Sequence, residues 1–84
     1  MRRIPKLNIA IGHVFFAHRR RLGLNTEELA LKVGGSESYV KLLESGKRNP
    51  TFSVFLLYAE AFEIDPHELL SDISQRLTLL NNKK

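Results

Sequence analysis

Four helix-start signals stand close together between Asn25 and Asp65, and their spacing leaves no room for a long helix in that stretch. Asn25 is an N-cap residue type, and Glu28 three positions on completes a capping box, with Leu24 and Leu29 placed to staple it. Ser36 and Thr51 are caps of the same kind. Asp65-Pro66-His67-Glu68 combines a capping carboxylate, proline at the first helical position and glutamate at the third. Stop signals alternate with these starts, at Gly23, Gly34-Gly35 and Ser45-Gly46. Helices this short cannot make an extended bundle. They have to wrap a single core.

Apolar residues recur at spacings of three and four, with no sustained alternation of the kind a strand needs. Ile11, Phe15, His18 and Leu22 share one face of a first helix expected to begin at Asn8. Leu29, Ala30 and Val33 line the second helix, and Val40 and Leu43 the third. Phe52, Phe55, Leu56, Ala59 and Phe62 line the fourth. The expected core is Phe15, Leu29, Val40, Leu43, Phe55, Phe62 and Leu69, in an all-α, compact five-helix fold. Met1–Pro5 and Asn81–Lys84 are polar ends, expected to fray.

With 84 residues the chain is one small domain, and its lack of cysteine excludes disulfides, thiolate metal sites and cysteine nucleophiles. A reducing cytoplasm is the expected location. No apolar run approaches the roughly 20 residues that cross a bilayer, and none follows Met1-Arg2-Arg3 as a targeting segment would require. Charge is unevenly placed. Residues 1–48 hold ten basic and four acidic side chains, a net +6, whereas residues 49–84 hold three and five, a net −2. A basic half beside an acidic half favours a polyanionic partner.

The second and third helices are separated by a short glycine-containing turn, the spacing of a helix-turn-helix. The order of residues from Ile11-Gly12 through Phe15 and Arg19, then Leu24-Asn25-Thr26-Glu27-Glu28-Leu29-Ala30, resembles the lambda-repressor/Cro/Xre type of DNA-binding domain. Val33-Gly34, Ser36 through Tyr39-Val40, Leu43-Glu44, Gly46 through Pro50 and Ala59 through Phe62 continue the likeness, which runs from about Ile9 to Leu70. The chain is then expected to divide into a flexible basic arm over 1–7, a helix-turn-helix DNA-binding domain over 8–70 that the resemblance implies, and, beyond the likeness, a C-terminal helical extension over 71–84. Ala30 is then small so that the third helix can cross the second closely.

The same resemblance assigns roles. Arg19 and Glu44 fall where such domains carry a structural ion pair. Base-reading positions fall on Glu37, Ser38 and Leu42, with Lys41 beside them, in a helix over 36–45 lying in the major groove. A carboxylate at Glu37 suits only a base-edge donor such as cytosine N4, and Leu42 suits a thymine methyl; Glu37 also simply favours the start of its helix. Phosphate contacts are expected from Thr26, Tyr39, Lys47, Arg48 and Asn49, although the Tyr39 ring could equally pack inward. Arg20 and Arg21, at the end of the first helix, are read as structural.

One such domain makes few base contacts, so a homodimer on two half-sites is expected. Ile73, Leu77 and Leu80 continue a helical stripe that could serve as the dimer contact or pack back onto the first helix. Val14 and Phe16 favour the dimer, because a lone domain is expected to expose them. His13, His18 and His67 lack metal-ligand spacing, and no catalytic constellation, cofactor motif or small-molecule site is evident, so no enzyme activity is expected. The expected function is a repressor-like transcriptional regulator that binds a double-stranded DNA operator and blocks or contacts polymerase. The alternative is a protein-interaction or antitoxin-like module that keeps the fold with weak DNA affinity.

Overall fold

All four helix starts read from the sequence form. The structure is a computed structural model that describes residues 2–82; Met1, Lys83 and Lys84, grouped above with the polar ends, lie outside the described residues. Its helices are α1 (Leu7–Arg21), α2 (Thr26–Val33), α3 (Glu37–Glu44), α4 (Phe52–Ala61) and α5 (Pro66–Asn81). The Asn25 carboxamide oxygen accepts from the Glu28 N–H at 2.8 Å, and the Glu28 carboxylate accepts from the Asn25 N–H at 2.8 Å. Ser36 Oγ accepts from Tyr39, Thr51 Oγ1 from Val54, and Asp65 Oδ1 from His67. These bonds satisfy N–H groups that each helix leaves without a partner.

The first helix departs from expectation. It begins at Leu7, inside the stretch assigned to the arm, and its capping residue Lys6 adopts a left-handed conformation with φ 65° and no side-chain cap. Asn8 lies inside the helix rather than opening it, and its side-chain amide donates to the Gly46 carbonyl at 2.6 Å. Two further bonds fasten the arm's root to the end of α5: Lys6 Nζ donates to Leu80 O at 3.1 Å and Asn81 Nδ2 to Pro5 O at 3.1 Å. Pro5 and Asn81, expected to fray, therefore hold each other.

An aromatic cluster centres the core. Phe15 stacks on Tyr58 at 5.0 Å between centroids, and Phe62 meets both rings edge-on. Leu29, Val40, Leu43 and Leu69 are fully buried around it, as expected. Phe55 is only half-buried, and Tyr58 takes the inward place assigned to it. Phe52 and Leu56 are also turned outward. The reason is compositional: α4 is apolar nearly all round, so its periodicity defines no face.

The C-terminal stripe closes the monomer. Ile73, offered above as a dimer contact, is 4% exposed within the core, and half-buried Leu77 and Leu80 pack against that core. α5 packs along α1 as one continuous helix, so a boundary at 70/71 falls inside it. His18, stacked on Phe62, bonds Asp72 at 2.8 Å across this contact. Val14 is buried rather than exposed. Phe16 is exposed but lies under two guanidinium groups, Arg19 at 5.2 Å and Arg20 at 5.6 Å from its centroid. Neither residue needs a second copy to cover it.

Candidate nucleic-acid interface

The turn between α2 and α3 is made by Gly34, whose φ of +70° ends α2, followed by Gly35, which returns a bond to Ala30 O at 2.9 Å. Ser36 then opens α3 at once. Val40 and Leu43 seat one side of α3 in the core, while Glu37, Ser38 and Lys41 on the other side are exposed and Leu42 is half-buried. Ala30, buried on α2, is small enough for the two helices to pack together.

α1 braces the C-terminal end of α3. Arg19 grips Glu44 with two bonds, Nε to Oε2 at 2.7 Å and Nη2 to Oε1 at 3.0 Å, and donates a third to Leu24 O at 2.8 Å. Both side chains are about nine-tenths buried, with 9% and 10% exposure. The Glu44 hydrogen bond raises the Arg19 pKa further above its already high value, so the guanidinium keeps its charge at any physiological pH. Gly12 completes the brace: a β-carbon there would lie 2.5 Å from the Glu44 carbonyl oxygen and 2.9 Å from that of Leu43. Asn8 holds the next turn through Gly46 O. The sequence signalled the ion pair, whereas the reason for Gly12 and the role of Asn8 depend on the helix-helix distance.

The N-terminal end of α3 is organised differently. Thr26 Oγ1, on the first residue of α2, donates to Glu37 Oε2 at 2.6 Å, and Lys41 Nζ lies 3.6 Å from the same oxygen. The Thr26 hydroxyl first, and Lys41 second, hold the Glu37 carboxyl below the usual carboxylate range. The single hydroxyl proton of Thr26, expected to meet a phosphate, is thus engaged by Glu37. Backbone N–H groups at the start of α2 remain available to an anion. Tyr39 is half-buried with its ring packed against the core, the inward alternative. Lys47, Arg48 and Asn49 are exposed in the loop that follows α3.

Arg21 is structural as read, donating to Phe62 O at 2.8 Å and to His18 Nδ1 at 3.3 Å. Among the described residues there is no cluster of potential metal ligands and no helix long and apolar enough to cross a membrane.

Known proteins share this arrangement. The helix-turn-helix family profile matches residues 17–69. An uncharacterized HTH-type transcriptional regulator, y4dJ of Sinorhizobium fredii, is 36% identical over 61 residues, covering 73% of this chain and 79% of that protein. The restriction-modification controller protein C.AhdI of Aeromonas hydrophila is 35% identical with a TM-score of 0.71, covering 74% of this chain and 94% of its own. The controller protein C.Esp1396I, solved as a tetramer with its natural 35 base-pair operator, shares the fold at a TM-score of 0.78 and 21% identity, covering 86% of this chain and 95% of its own. With its braced α3, short glycine turn and matching profile, the chain belongs to the helix-turn-helix family of DNA-binding transcriptional regulators, of the Xre and lambda-repressor type.

Proposed function

We propose that this regulator recognises an operator by laying the N-terminal half of α3 in the major groove, with Glu37, Ser38, Lys41 and Leu42 toward base edges. The observation that carries the reading is the two-sidedness of α3: one side is sunk in the core, the other is open, and the loop that follows the helix exposes Lys47 and Arg48. Glu37 is an acceptor-only group held in place by Thr26 and Lys41, which selects for a base-edge donor, cytosine N4 first. Leu42 contributes apolar contact to a thymine methyl. Lys47, Arg48, Asn49 and the start of α2 at Thr26 grip phosphates, and Tyr39 serves them through its hydroxyl while its ring stays packed.

The regulator acts as a homodimer, because one α3 contacts too few bases for useful specificity. The contact face assigned here is α4, where Phe52, Leu56 and Leu57 remain 75%, 40% and 46% exposed beside the α3–α4 loop. Selection of bound fragments from random duplex DNA tests the main claim. A recurrent two-fold site is expected, bound with an affinity that falls steeply with salt. A Lys47→Ala/Arg48→Ala variant should flatten the salt slope by about 1.8 per half-site, since each phosphate contact contributes about 0.9. An unchanged slope contradicts the phosphate roles. In sedimentation, Leu56→Lys should shift the chain toward monomer; an unchanged coefficient contradicts the α4 interface.

A further inference from the structure

A cleft of about 460 Å³ lies between the N-terminal arm and the loop after α3. Arg2 and Arg3 of the arm and Lys47, Arg48 and Asn49 of the loop line it, together with Asn8 at the start of α1. No carboxylate lines it. None of the four cations forms an ion pair among the described residues, although the chain's other ion pairs engage Arg19, Lys32, Lys41 and His18. Four unneutralised cations brought to one cavity repel each other unless an anion sits among them.

The arm reaches this place by construction. Leu7 N–H donates to Ile4 O at 3.3 Å, and Lys6 makes a left-handed turn between the arm and α1. The Lys6–Leu80 and Pro5–Asn81 bonds hold the root of that turn to α5. The loop is equally fixed, because Asn8 bonds Gly46 O and a β-carbon at Gly46, whose φ is +78°, would sit 3.4 Å from the Asn8 amide. The arm is therefore presented by its root, whereas a free tail would have no fixed partner.

We propose that this cleft is a phosphate-binding site in which Arg2 and Arg3 act together with Lys47 and Arg48, and that it takes the DNA backbone flanking the half-site. The proposal rests on the DNA-reading function above and extends the phosphate track beyond the α3–α4 loop to the arm. Its contacts carry no sequence information, so they set affinity and salt dependence for all sequences alike.

The test compares the full chain with Arg2→Ala/Arg3→Ala, first on the selected duplex and then with sodium tripolyphosphate alone. Removing the two arginines should not lower the melting temperature, should leave base preference unchanged and should flatten the salt slope by about 1.8 per half-site. Amide resonances of residues 2–4 and 47–49 should move together on adding tripolyphosphate, and the loop shifts should shrink in the variant. Wild-type binding with an unaltered slope in the variant overturns the arm's role while the major-groove reading stands. If wild type fails to bind duplex DNA but tripolyphosphate moves both groups of resonances, the DNA source is overturned and a free phosphate ligand is indicated. No movement of either group overturns the site itself.

Discussion

Glu37 and Glu44 bound the same helix, and their surroundings could hardly differ more. Glu44 is about nine-tenths buried, gripped by two Arg19 bonds, with Gly12 pressed against its carbonyl. Glu37 is exposed, held by one hydroxyl and a lysine 3.6 Å away. The buried pair fixes where α3 points, because losing either partner strands a charge in the interior. The exposed group fixes little, because water solvates it whenever its partners leave. One end of α3 is a mount and the other is a reading head. A recognition helix needs both, since base edges are told apart only by donors and acceptors held in register.

The largest expected effect breaks the mount. Glu44→Ala should destabilise the fold by about 3–5 kcal/mol, because Arg19 is left buried without its partner. At this chain length that lowers the melting temperature by more than about 12 °C. Glu37→Ala should melt like wild type. If the two variants melt alike, the contrast between the ends of α3 is wrong.

Tyr58 provides a second probe of the buried end. Its hydroxyl has no hydrogen-bond partner among the described residues, and burial first, then Tyr39 and Glu44, push its pKa up to about 12. The folded state thus favours the neutral phenol. That preference is fully present below pH 10, where the unfolded phenol titrates, and is lost as pH rises toward 12. Wild type should lose about 2–3 kcal/mol over that interval that Tyr58→Phe does not lose. At neutral pH Tyr58→Phe should be as stable as wild type or about 1 kcal/mol more so, having removed an unsatisfied polar group. Parallel alkaline melting curves for the two proteins would contradict this account of Tyr58. A smaller loss, about 1–3 kcal/mol, is expected for Gly12→Ala, whose added methyl must push α1 away from the Glu44 carbonyl. Calorimetry showing no loss would mean that α1 yields freely and braces nothing.

What the sequence revealed of this follows from the range of each interaction. Caps at Asn25, Ser36, Thr51 and Asp65 were legible because each joins residues two or three apart. The aromatic centre was only partly legible: α4 is apolar on every side, so Phe55 and Tyr58 exchanged places between expectation and structure. The stripe through Ile73 announced an apolar face without saying what covers it, and α1 of the same chain proves to be the cover. In the site, the Arg19–Glu44 pair was readable by resemblance, whereas the Thr26–Glu37 bond was not. Those two residues stand eleven apart across a turn, and only the packing of α2 on α3 brings them to 2.6 Å.

The most direct test of the reading head is the base preference of Glu37→Gln, measured by equilibrium binding to duplexes carrying each base pair in turn across the selected half-site. Glutamine keeps the shape of glutamate but adds a donor, which suits adenine. The account predicts that preference moves from cytosine to adenine at one position by about tenfold or more, with the remaining positions unchanged. A uniform rise in affinity for every duplex would contradict it, because Glu37 would then act only as a negative charge near the backbone.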